Sequence, residues 1–74
     1  MKVEIRYCAS WNYKPNAASL AEELREAFGV EAELINDHSD RGIFDVIVDG
    51  KLVFSRKEIR RLPEPGEVVG KLKQ

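Results

Sequence analysis

Cys8 is the only cysteine in 74 residues, and it falls where a strand gives way to a helix, in Val3-Glu4-Ile5-Arg6-Tyr7-Cys8-Ala9-Ser10-Trp11-Asn12-Tyr13-Lys14-Pro15. A thiol at such a junction faces free backbone N–H groups and the positive end of the helix dipole, which favour the thiolate. Dithiol exchange needs a second sulfur three residues on, and Trp11 stands there, with Ala9 and Ser10 between. One sulfur can form a mixed disulfide with an outside partner, which only an outside thiol can then release. Trp11 would also crowd and dry the thiol, an influence opposed to that of the helix dipole.

Other side chains could join this chemistry. Tyr7, Trp11 and Tyr13 surround the cysteine in sequence, as packing or gating residues. Ser10 reads as a helix N-cap, its hydroxyl satisfying free backbone N–H groups. His38, the only histidine, is either a plain loop residue or a base for the thiol. Arg56, Lys57, Arg60 and Arg61 form a basic run that is either a solvated face or a source of positive charge near Cys8. The Asn36, Asp37 and Asp40 oxygens do not match the spacing of a calcium loop, and no metal site is expected.

The elements that must position these residues are well punctuated. Val3, Ile5 and Tyr7 alternate with Lys2, Glu4 and Arg6, the period of a strand covered on one face. Ala17, Leu20, Ala21, Leu24, Ala27 and Phe28 make an apolar helical stripe beginning near Asn12 or Pro15 and stopped by Gly29. Val30, Ala32 and Leu34 alternate with Glu31 and Glu33 in a second strand ending near Ile35. Strands from Ile43 to Val48 and from Lys51 to Phe54 are joined by Asp49-Gly50, a strong hairpin signal. Pro65 is placed to open a short helix carrying Val68, Val69 and Leu72.

The order is β-α-β-β-β-α, an α/β two-layer sandwich with a four-stranded mixed sheet. The first two strands run parallel through a right-handed crossover, and both helices cover one face. Phe44, Val46 and Val48 should point to the helices, and Ile43, Asp45, Ile47 and Val53 to the barer face. That face is a candidate surface for a partner or a second copy. The topology gathers Cys8, His38, the loop before Ile43 and the basic run at one end of the sheet.

The length allows one domain, residues 1–74. Twelve basic and thirteen acidic side chains leave a net charge of −1, which argues against bulk attraction to nucleic acid or to a membrane. Met1-Lys2-Val3-Glu4 does not read as a signal peptide, and no apolar run reaches membrane-spanning length. A cytoplasmic protein is the expectation.

Three blocks carry a resemblance: Tyr7 to Lys14 with the helix ending at Phe28-Gly29, Gly42 to Lys57, and Arg61-Leu62-Pro63-Glu64-Pro65-Gly66-Glu67-Val68-Val69. Taken in order they span nearly the whole chain. It resembles the selenoprotein W-like (Rdx-type) family, within the wider group of selenoproteins W, T and H and their cysteine homologues. The resemblance implies a thioredoxin-like fold and a role in cell redox homeostasis linked to glutathione or protein thiols. Cys8 matches the first position of the family's cysteine-x-x-cysteine or selenocysteine motif; Trp11 replaces the second. Arg60 stands where members commonly have glycine.

Three functions follow as expectations. Cys8 forms a mixed disulfide with glutathione or a client protein, beside the basic rim, with no further cofactor. Alternatively, the chain is a catalytically lapsed protein-interaction module. A third reading binds an anionic ligand, RNA included, through Arg56, Lys57, Arg60 and Arg61.

Overall fold

Alternating burial builds the sheet. In a computed structural model describing residues 1–38 and 41–73, strand β1 (Val3–Tyr7) buries every second residue. Strand β3 (Phe44–Val48) repeats that pattern. The two pair antiparallel, Tyr7 opposite Phe44 and Val3 opposite Val48, so their buried sides coincide. Strand β2 (Glu33–Asn36) lies parallel to β1, and β4 (Lys51–Ser55) lies antiparallel to β3. The sheet order is β2-β1-β3-β4, the four-stranded mixed sheet expected. At the hairpin, Asp49 and Gly50 both have positive φ, as a two-residue turn matched to strand twist requires.

Helix α1 (Lys14–Phe28) buries Ala17, Leu20 and Leu24 on the sheet and ends at Gly29. A second helix, α2 (Arg56–Ile59), follows β4 at once; the basic run was not expected to be helical. The last, α3 (Glu67–Leu72), buries Val68. Val3, Ile5, Tyr7, Leu20, Leu24, Phe44, Val46, Phe54 and Val68 share one core, so α1 and α3 cover the same face. Each such large apolar side chain contributes about 1.5–3 kcal/mol by leaving water. No helix among the described residues is long and apolar enough to cross a membrane.

Several local expectations are corrected. The second strand begins at Glu33, and Val30 and Ala32 pack on the core from the connection before it. Gly66 occupies the N-cap of α3, so Pro65 lies outside the helix it was expected to open. Val53 packs against the core instead of the barer face, because a bulge opposite Val46 and Ile47 inserts it as an extra residue. Ile43 is outside the main core cluster yet only 8% exposed. Tyr7, expected at the rim, has its side chain in the core. Its place in the β1 alternation puts it on the helix-covered side. Asp40, weighed with Asp37 as an oxygen cluster, lies outside the described residues, as does Ser39.

Candidate functional site around Cys8

The chain does not enter α1 directly from β1. It first makes a single 3-10 turn, Ala9–Trp11, with Cys8 at its N-cap and Asn12 in the left-handed region behind it. The Cys8 N–H donates to Ile43 O at 3.0 Å, which ties the cysteine to the start of β3. The Cys8 carbonyl accepts from the Trp11 and Tyr13 N–H groups at 3.3 and 3.4 Å. Ser10 is therefore not the N-cap; it sits inside the turn, and Tyr13 occupies the N-cap of α1 without a side-chain bond. The long helix starts too late to serve the sulfur, and the turn takes its place.

Cys8 is 5% exposed, and its thiol pKa is lowered from that of an ordinary cysteine. Hydrogen bonding from the Gly42 backbone N–H is the largest cause. Burial opposes it, and the Trp11 and Ser10 amides and the Ser10 hydroxyl add smaller favourable contributions. The Trp11 N–H, which the Cys8 carbonyl already accepts, and the Ser10 N–H act on the sulfur more weakly than that of Gly42. Backbone amides favour the thiolate here, as the strand-to-helix junction leads one to expect, whereas none of the nearby cations is among the causes.

The thiol lines a cleft of about 290 Å³ together with Ser10, Trp11, His38 and Arg41. His38 is brought there by the end of β2. Asp37 N–H donates to Tyr7 O at 2.9 Å, and Arg6 reaches the Asp37 carboxylate at 3.4 Å, fixing the chain beside Cys8. The loop before Ile43 is expected at the Cys8 end, and Arg41 lines the cleft there; that expectation names neither Arg41 nor Gly42 as a residue of the site.

Trp11 lines the cleft beside the buried cysteine. It is 48% exposed, and the Arg56 guanidinium lies 5.3 Å from its ring centroid and 5.7 Å from that of Tyr13. Tyr13 meets Trp11 and Phe44 edge-on at 6.2 Å, which carries the stack down to the core. Of the basic run, only Arg56 joins this rim. Arg61 turns to Glu67 with contacts of 2.6 and 2.8 Å. Lys57 and Arg60 are exposed and do not line the cleft. The run was expected to act as one patch; the short helix and the left-handed Arg60 that ends it send its members in different directions. Ala9 is exposed on the turn.

Comparison with known proteins agrees with this geometry. The model of the Rdx family matches residues 2–74. Selenoprotein W of Ovis aries is 33% identical over 57 residues, which are 74% of this chain and 66% of that protein. A crystal structure of a selenoprotein W-related protein from Vibrio cholerae superposes with a TM-score of 0.86 at 27% identity, over 97% of this chain and 91% of that one. A Bordetella parapertussis protein shares the fold at a TM-score of 0.88 and 24% identity, over 97% and 92% of the two chains. With an α/β mixed sheet, a cysteine turn at one end of it and a family match along nearly its whole length, this chain belongs to the Rdx family of selenoprotein W-like proteins.

Proposed function

We propose that the protein is a monothiol redox protein in which Cys8 forms a mixed disulfide with glutathione or with a client protein's thiol. The observation that carries this is a single one. Cys8, 5% exposed, lines a cleft while backbone amides, that of Gly42 first, favour its charged form. Membership of the Rdx family supports a thioredoxin-like, redox-related role. In the step proposed, the Cys8 thiolate attacks one sulfur of a disulfide such as glutathione disulfide. The old S–S bond breaks, the new one forms, and the second glutathione leaves as a thiolate with the bonding pair. Cys8 is oxidised and the attacked disulfide is reduced. No internal thiol can displace the adduct, so free glutathione must, and a cytoplasmic setting would supply it. Arg41 in the cleft offers a guanidinium to a carboxylate of the incoming molecule.

Two measurements test the reading. Alkylation of Cys8 followed against pH should give an apparent pKa clearly below about 8.5, the free-thiol value. Incubation with glutathione disulfide should add one glutathionyl group by mass, absent in Cys8→Ser. A free-thiol titration, or no adduct on the wild type, rejects it.

A further inference from the structure

Arg56 is the residue whose surroundings the monothiol reading does not by itself explain. It is the first residue of α2, delivered by the end of β4 to the rim of the sheet. There its guanidinium lies in the corner made by the edge-to-face Trp11 and Tyr13 rings, 5.3 and 5.7 Å from their centroids, and its Nη1 reaches the Gly42 carbonyl at 3.5 Å. Gly42 has φ +72° and is buried, and an added Cβ would meet Arg56 Nη1 and the Trp11 ring at 3.1 Å. Loop, guanidinium and indole are thus packed with no slack. The next residue, Ile43, accepts the Cys8 N–H. The loop touches the cysteine on one side and the arginine on the other.

We propose that Arg56 is a positioning residue for Cys8: clasped in the corner made by the Trp11 and Tyr13 rings, it holds the Gly42 carbonyl and so keeps the Gly42 amide directed at the sulfur. The proposal rests on the monothiol reading and deepens it by naming what sets the thiol's reactivity. A planar guanidinium suits the task because it stacks on rings with its faces and donates from its edge. An ammonium would keep the charge but lose the stack. Trp11, at the position of the family's second redox residue, then works as one wall of the clasp.

The experiment compares the pH profile of Cys8 alkylation in wild type, Arg56→Gln and Arg56→Lys, with thermal melting to confirm folding. Both variants should stay folded. The apparent thiol pKa should rise by about half a unit or more in Arg56→Gln, slowing alkylation near neutral pH by about threefold or more. Arg56→Lys should rescue little of this, since charge alone does not rebuild the clasp. A wild-type profile matching a free thiol overturns the monothiol reading, and the positioning role with it. A depressed wild-type pKa left unchanged in Arg56→Gln overturns the positioning role alone. Full rescue by lysine also overturns it, in favour of direct charge. Should Arg56→Gln fail to fold, the same profile in Tyr13→Leu, which removes the other wall, decides the matter: an unchanged pKa overturns the clasp and a raised one upholds it.

Discussion

Two groups whose charged forms are favoured, Cys8 and Glu67, sit near the start of a helical segment and are stabilised by opposite means. The Glu67 carboxylate opens α3 and meets Arg61 through both guanidinium edges, at 2.6 and 2.8 Å, while the Glu64 N–H donates to it at 2.9 Å. Its pKa falls from 4.5 to about 2, with the Arg61 bond as the first cause. The Cys8 sulfur is favoured chiefly by backbone amides, against the pull of burial. The carboxylate is spent on structure, since its cation occupies both oxygens and folds the Arg61–Gly66 connector back onto the helix. Cys8, though only 5% exposed, lines a cleft. Amides can favour a charge without covering it, and a bidentate arginine cannot.

Substitutions that break each arrangement separate the two. The largest effect should come from Gly42→Ala. The alanine must hold a left-handed φ, at a cost of about 1–2 kcal/mol, and its Cβ must push Arg56 or Trp11 aside. With the Gly42 amide displaced, alkylation of Cys8 near neutral pH should slow about tenfold, a rise of about one unit in thiol pKa. An unchanged rate would mean that the amide does not govern the thiol.

Glu67→Gln should act on stability alone. A carboxyl group whose folded pKa is depressed stabilises the fold above its unfolded value, and loses that contribution as pH falls through the folded one. The melting difference between wild type and Glu67→Gln should therefore be full above 4.5 and vanish as pH approaches about 2. Cys8 alkylation should not change. A difference that persists in strong acid, or an altered thiol profile, would break the separation.

For Cys8 the same linkage operates at the other end of the scale. Its lowered pKa adds stability as pH rises through the folded value toward that of a free thiol, and Cys8→Ser should lack this alkaline gain in melting temperature. The smallest effect should be that of Ser10→Ala, whose hydroxyl is the last of the favourable influences on the sulfur. Alkylation should slow by about twofold or less; a loss greater than that in Gly42→Ala would promote Ser10 above Gly42.

The sheet was legible because its signals are local. Alternation in Val3–Tyr7 and Phe44–Val48 and the Asp49-Gly50 turn depend on neighbours in sequence, and with the crossover rule they place Cys8 and the start of β3 at one end. The site itself was only half legible. That Gly42 would direct its amide at Cys8 depends on register between β1 and β3, where a slip of one residue would remove it. That Arg61 would leave the rim depends on how the proline connector folds back to Glu67. The basic residues look alike in sequence, but Arg56 finds two aromatic rings and Arg61 finds a carboxylate. Val53 misled because a bulge shifts the alternation by one place, and nothing in Lys51-Leu52-Val53-Phe54 announces one.

That bulge also bears on the margins of the sheet. It interrupts the β3–β4 ladder between Val46 and Ile47, and such an irregularity twists the outermost strand and spoils its regular row of donors and acceptors. On the opposite margin, β2 is only four residues long and exposes Glu33 and Asn36. Neither border offers a long, flat template for another chain's strand, so this small sheet is guarded against edge-to-edge polymerisation even though Leu52 on the outer strand is half exposed.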